Sequence, residues 1–263
     1  MDHVLIIGCG NMGGAMLSGW LAAGEVPARF SVLDPALSEA PDGVALYRDA
    51  AEVPGTHDAV LLGFKPQQLG ALGPGLQGLT EGRTVCSLLA GITLDQLAAA
   101  FPQGAGHIRV MPNLAARINK SPVILAERGL DADARDAAFA LFNTLGSAVR
   151  LGDETQFDLV TALAGSGPGF VYRFIDALAG AAIDLGLDED TAAALALATV
   201  EGASALAAAS DVSPATLADR VASPGGMTRE GLNVLDEAAA LRRLLARTLV
   251  ATRDKGAALS RSN

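Results

Sequence analysis

The chain has 263 residues, half of them hydrophobic, and a formal net charge of −10. That length accommodates one large core or two modest ones, and with no Lys or Arg block the acidic balance excludes nucleic acid and anionic membranes as partners. Cys9 and Cys86 lie in apolar runs with no neighbour at metal-ligand spacing, so both are expected as buried, reduced thiols of a cytoplasmic protein that holds no metal. The first apolar run, residues 4–7, is strand-sized and follows no basic stretch, so no signal peptide is expected.

In chain order, residues 4–7, 30–33, 59–64, 84–89, 107–111, 123–126 and 148–151 read as strands. Between most of them lie Ala- and Leu-rich helical stretches such as 12–23, 94–101 and 132–145. Continuous apolar strands alternating with helices predict a mostly parallel sheet covered on both faces. The texture changes after Gly152. Residues 155–185, 190–209, 214–222 and 229–259 read as helices, with Asp188 and Ser213 as caps and Pro214 in a first turn. The stretch 157–187 is interrupted by Asp158, Arg173, Asp176 and Asp184 and reads as a soluble helix, not a membrane span. The expected organisation is an α/β Rossmann-type domain over 1–153 and an all-α domain over 154–263. Ala-rich helices with few charges suggest faces buried against another subunit.

The segment Gly8-Cys9-Gly10-Asn11-Met12-Gly13 follows the first strand and opens the first helix. Gly8 permits the turn, Gly10 lets backbone approach a pyrophosphate, and Gly13 lets helix pack on strand. The phosphates would face the unpaired N–H groups and positive dipole of the helix start. Asp34 follows Gly10 by 24 residues, near the usual spacing of roughly 20 for the acid that binds the adenosine ribose. A carboxylate there repels a 2′-phosphate, and no Arg or Lys follows until Arg48. The turn therefore predicts NAD(P)H, leaning toward NADH. The other reading of Asp34 is that it only starts the Asp34-Pro35 turn.

Further segments carry a more specific signal: Lys65-Pro66-Gln67, Ser87-Leu88-Leu89-Ala90-Gly91-Ile92, Arg109-Val110-Met111-Pro112-Asn113, Thr161 to Pro168, and Ser223-Pro224-Gly225-Gly226-Met227-Thr228. With Gly8 to Met16, and in this order, they resemble pyrroline-5-carboxylate reductases across essentially the whole chain. The last two segments are the most specific. Lys65-Pro66, Ala90-Gly91 and Pro112-Asn113 sit at or beyond the C-terminal ends of expected parallel strands, where open α/β sheets bind ligands. The resemblance makes Asn113 part of the nicotinamide-side loop, although Leu114-Ala115-Ala116 follows where relatives often have Thr-Pro-Ala. It makes Thr161 the residue whose hydroxyl reaches the substrate's ring nitrogen. It makes the Ser223–Thr228 loop the holder of the substrate carboxylate, through the backbone of Met227 and Thr228 and the hydroxyls of Ser223 and Thr228. Gly225 and Gly226 leave N–H groups there unobstructed, and Met227 replaces a common Thr. Asp211 aligns loosely with an acidic family position and reads more simply as a solvated loop acid. Gly165, Gly167 and Pro168 cost helix stability, which suggests close approach of another backbone or a ligand; the other reading is a plain kink.

The resemblance implies reduction of 1-pyrroline-5-carboxylate to L-proline with NAD(P)H, and a homodimer of interlocked helical domains; some family members form decamers. His3, His57 and His107 all lie near strand starts, away from the ligand edge, and are expected to be structural. Three rivals remain. A reductase of a related cyclic imine carboxylate would look much the same. A β-hydroxyacid dehydrogenase would need a lysine on the long helix after the sheet, and none occurs between Lys120 and Lys255. A non-catalytic dinucleotide-binding sensor would have no use for the glycine loop at Ser223–Thr228.

Overall fold

The structure, a computed structural model, describes residues 1–262, and side-chain burial through residue 259. Eight strands form one sheet: β1 (Val4–Ile7), β2 (Phe30–Leu33), β3 (Ala45–Tyr47), β4 (Ala59–Leu62), β5 (Thr84–Ser87), β6 (Gly106–Met111), β7 (Ser121–Arg128) and β8 (Gly146–Arg150). Their order is β3-β2-β1-β4-β5-β6-β7-β8, and every neighbouring pair is parallel except β6 with β7. The helices among them are α1 (Asn11–Ala22), α2 (Leu69–Leu72), α3 (Gln77–Thr80), α4 (Leu94–Ala100) and α5 (Ala132–Asn143). The order from β3 to β6 is that of the doubly wound dinucleotide fold, in which the chain reverses its direction of travel at β1 and β4.

The strands are apolar because both sheet faces are covered. On β1, Ile6 points into one core with Trp20, Phe30 and Phe142, while Leu5 and Ile7 point into the other with Leu62, Leu97 and Phe101. Trp20 anchors the first core. It is fully buried, its ring stacks on Phe30 at 5.1 Å, and its indole N–H donates to the Leu141 carbonyl at 3.0 Å. Strand β3 is absent from the sequence reading. It is a three-residue edge strand with no buried residue, too short to display an alternation.

Beyond β8 lie α6 (Phe157–Val160), a π-turn (Thr161–Gly165), α7 (Gly167–Asp184), α8 (Glu189–Ala208), α9 (Pro214–Val221), α10 (Met227–Asp236) and α11 (Ala240–Ser262). The single helix expected over 155–185 is therefore α6, the π-turn and α7. The break places Pro168 in the first turn of α7, where its missing N–H is tolerated. The helix expected over 229–259 is likewise two helices, α10 and α11, parted by Ala238 and Ala239 at φ 48° and 56°. The first break falls at Gly165-Ser166-Gly167-Pro168, residues that disfavour a helix, whereas nothing in the Ala-rich pattern around 238–239 marked the second.

Contacts divide the chain into two compact units, Met1–Gly165 with the segment from Thr252, and Ser166–Ala251. The π-turn groups by contacts with the first unit, where Arg109 of β6 meets Glu154 and Phe157. Within the second unit α7 packs along α8. Only Ala192 and Ala196 of α8 are buried, and α7, α9 and α10 bury nothing.

Candidate active site

The parallel strands deliver their C-terminal ends to one edge of the sheet. After β1 the turn to α1 is closed by backbone contact. Gly63 donates its N–H to the Ile7 carbonyl at 2.7 Å, and a side chain on Gly63 would place its Cβ 2.3 Å from the Gly8 carbonyl oxygen. Gly8 itself has φ 85°, and a Cβ on it would lie 2.8 Å from the Phe64 nitrogen. A Cβ on Gly13 would meet the Gly8 oxygen at 2.9 Å, so α1 packs directly on the strand end. Gly10 has nothing near the Cβ it lacks, and as the N-cap of α1 it offers no side chain to the first N–H groups. Those amides are the orphan donors of a helix start, and Cys9, Asn11 and Met12 line the same turn. The residues present fit a dinucleotide pyrophosphate.

Asp34 follows the last residue of β2. Its carboxylate accepts from the Cys9 N–H at 2.8 Å through one oxygen and from the Ala36 N–H at 2.9 Å through the other. Each oxygen retains acceptor capacity for a ribose hydroxyl. Arg48, one residue past β3, donates to the carbonyls of Leu37 at 2.6 Å and Ser38 at 3.0 Å. Arg48 is thus engaged with backbone.

Burial raises the Cys9 thiol to about 11, with the Asp34 charge adding to the effect, and burial raises Cys86 to about 12. Both are free, buried thiols.

Lys65 is exposed after β4, where it starts the short turn of Pro66–Gln68 and its N–H donates to the Gln68 side chain at 3.1 Å. Ala90 and Gly91 form the turn after β5, with Gly91 at φ 77°. Asn113 follows β6 and is buried. Its N–H donates to the Ser121 hydroxyl at 2.9 Å, its Oδ1 accepts from the Ala115 N–H at 2.9 Å, and its Nδ2 donates to the Ala164 carbonyl at 3.0 Å. Asn113 therefore ties the end of β6 to the turn that carries Thr161. Thr161 is half-buried at the start of that π-turn. π-Turns are uncommon and recur at functional sites.

Two residues without an assigned role support this turn. Arg109, in the middle of β6, is 5% exposed and pairs with Glu154 at 2.7 Å while its guanidinium lies 3.8 Å from the centre of the Phe157 ring. Glu154 also accepts from the Leu94 N–H at 2.8 Å. The signal was available in sequence, since an arginine in an otherwise apolar strand needs a partner. Which partner it takes is not written in the sequence. His57 and His107 donate through Nε2 to the carbonyls of Leu79 and Phe101, 2.8 and 2.9 Å away, and are packing residues on neither ligand-side loop.

In the second unit, Ser223–Gly226 enters α10. Gly226 is its N-cap and no side chain caps the helix, so the N–H groups of Met227 and Thr228 lack in-helix acceptors by geometry. Gly225 is at φ 70°, and a Cβ on Gly226 would sit 2.7 Å from the Ser223 hydroxyl. Arg229 closes the loop by pairing with Asp219 at 2.8 Å. Ser223, Met227 and Thr228 are exposed, as is Asp211. Among the described residues no group of His, Cys, Asp or Glu is placed to hold a metal ion.

A doubly wound sheet whose glycine turn opens α1 and whose β2 ends at a carboxylate defines a nicotinamide-dinucleotide oxidoreductase. Comparison with known proteins gives the family. Residues 154–259 match the pattern described as pyrroline-5-carboxylate reductase dimerisation, and residues 3–91 match that of NADP oxidoreductase, coenzyme F420-dependent. The chain is 35% identical to the pyrroline-5-carboxylate reductase of Methanosarcina acetivorans over 88% of each, and 35% identical to pyrroline-5-carboxylate reductase 2 of Bacillus subtilis over 90% of this chain and 88% of that one. Its structure is similar to a pyrroline-5-carboxylate reductase from Coxiella burnetii, with a TM-score of 0.91, 28% identity and 98% of both chains covered. The chain belongs to the pyrroline-5-carboxylate reductase family.

Proposed function

We propose that this protein reduces 1-pyrroline-5-carboxylate to L-proline, the last step of proline biosynthesis, with NADH preferred over NADPH. The observation that carries the reaction is kinship at 35% identity along nearly the whole chain with reductases of that name. The site geometry supports the roles of individual residues.

Bound NAD(P)H supplies the hydride. The chain holds its pyrophosphate on the turn Gly8–Gly13, with Lys65, Pro66, Ala90, Gly91 and Asn113 along the same sheet edge. The substrate carboxylate is held by the N–H groups of Met227 and Thr228 and the hydroxyls of Ser223 and Thr228, on a loop shaped by Gly225 and Gly226. Thr161 hydrogen-bonds the ring nitrogen. A protonated imine is a strong hydride acceptor, so the residues must mainly position the ring carbon about 3–3.5 Å from its donor and exclude water. The hydride adds to the ring carbon, the C=N electron pair moves to nitrogen, and nitrogen keeps its proton.

Asp34 supports NADH. Its fixed carboxylate can accept from both ribose hydroxyls and would oppose a 2′-phosphate, while Arg48 is engaged with loop carbonyls. The apolar surface of the helical unit supports a homodimer of interlocked helical domains. Tyr172, Phe174, Leu195, Leu197 and Leu206 are all exposed in the single chain. Helix α8 is apolar and long enough to cross a membrane by composition alone; the matched dimerisation pattern spans it and supports a subunit contact instead. We place the enzyme in the cytoplasm, where its thiols stay reduced.

Steady-state assays with the five-membered imine and a six-membered analogue, each with NADH and NADPH, test the reading alongside light scattering. Proline formation fastest with the five-membered ring and NADH, by a particle of dimer mass or a decameric multiple, is the expected result. Cofactor binding without turnover of either imine would leave a dinucleotide sensor.

A further inference from the structure

We infer that Asn113 and Arg109 are positioning residues for Thr161: strand β6 splints both ends of the segment that carries it. The inference rests on the reading of Thr161 as the residue at the ring nitrogen and adds the device that aims it.

The C-terminal end comes first. In an α-helix the Ala164 carbonyl would accept from the N–H four residues on. That residue is Pro168, which has no N–H. The next candidate, the Gly169 N–H, is spent on the Ser166 carbonyl at 3.0 Å. The Asn113 side chain supplies the missing donor, Nδ2 to the Ala164 oxygen at 3.0 Å. Its orientation follows from its partners, because Oδ1 must accept from the Ala115 N–H and Nδ2 must face a carbonyl. Asn113 is 6% exposed, so water cannot readily stand in.

The π-turn is pressed onto the same strand. A Cβ on Gly165 would lie 2.8 Å from the Met111 sulfur and 3.4 Å from the Thr161 methyl. Glycine at 165 thus lets the turn approach the end of β6 with Thr161 beside it. At the other end, Arg109 of β6 holds Glu154 at 2.7 Å and lies over Phe157 at 3.8 Å. Glu154 is fixed in turn by the Leu94 N–H at the start of α4. Between these two grips the chain runs only from Glu154 to Ala164, and Thr161 falls inside the π-turn. The Thr161 hydroxyl is therefore registered to the strand whose C-terminal loop lies on the cofactor edge. A hydroxyl in the wrong place by about 1 Å costs on the order of a hundredfold in rate.

A double-mutant cycle tests this. Asn113→Ala, Thr161→Ala and the double variant are assayed for kcat at saturating imine and NADH, with NADH affinity read separately by fluorescence titration. Asn113→Ala is expected to lower kcat by about tenfold or more, and to cost far less when Thr161 is already absent. Glu154→Gln, which keeps the shape at a partly exposed position, is expected to show the same pattern with a smaller fall. It carries the test should Asn113→Ala not fold. An undiminished penalty in the Thr161→Ala background, or a Glu154→Gln loss that appears as weaker NADH binding, overturns the inference. If Thr161→Ala alone keeps wild-type turnover, the ring-nitrogen reading falls and takes this inference with it. If Thr161→Ala is impaired but the two effects multiply, only the splint falls.

Discussion

The two units of this chain solve the burial problem in opposite ways. The sheet unit carries complete cores on both faces, with Trp20, Phe30, Phe101 and Phe142 fully enclosed. The helical unit buries only Ala192, Ala196 and Ala222 among its described residues, and leaves Tyr172 at 68% and Leu206 at 62% exposure. A dinucleotide turn needs backbones locked within tenths of an ångström, which a self-contained core provides. The helices leave apolar faces exposed in the single chain, which fits the proposed contact with another copy. The difference teaches that the cofactor turn is shaped within one chain, whereas on the proposed reading the helical unit is completed by a second copy.

The largest effect expected from this contrast is at Trp20. Trp20→Ala removes a buried ring and a satisfied indole N–H, and should cost about 3–5 kcal/mol in urea unfolding, independent of protein concentration. A cost below about 1 kcal/mol would mean that the sheet core does not stand alone. Next is Leu197 on α8, 56% exposed in the single chain. Leu197→Asp should shift the mass in light scattering toward the single chain and abolish imine reduction while NADH binding persists. Unchanged mass would remove α8 from the interface; lost NADH binding would break the separation between the units.

Asp34→Ser sharpens the comparison within the sheet unit. Losing one charged hydrogen-bonding group should lower NADH affinity by about tenfold and raise the relative use of NADPH. An unaltered ratio of the two cofactors would retire the ribose assignment.

The smallest effect is a pH dependence. Burial lowers the His57 pKa from 6.5, with the Leu79 carbonyl opposing the shift. The unfolded chain therefore binds this proton more readily, and stability attributable to His57 should be present above about pH 6.5 and decline as pH falls below it. His57→Gln should flatten that part of the stability profile; an identical slope in both proteins would assign it elsewhere.

Much of this was legible without coordinates, for local reasons. The strands show as apolar runs because both faces of the sheet are buried. The glycine turn shows because Gly8 and Gly13 are demanded by contacts of one strand with its own helix. Caps at Asp188 and Ser213 appear as predicted, accepting from Thr191 and Thr216. The splint was not legible. Arg109 and Asn113 could be seen as unusual, but Glu154 and Ala164 lie 45 and 51 residues away from them in the chain. The π-turn was hidden because five residues of helical composition do not reveal one displaced hydrogen bond.

What the sequence determined by itself was therefore everything set by neighbours along the chain: the alternation of strands and helices, the glycine turn at the start of α1, the caps, and the motifs that identify the family. Only the tertiary structure decided where β3 adds an edge, where the long helices break, and that β6 grips the turn bearing Thr161. Those outcomes depend on which distant carbonyl or carboxylate meets a buried donor, and periodicity along the chain carries no information about that meeting.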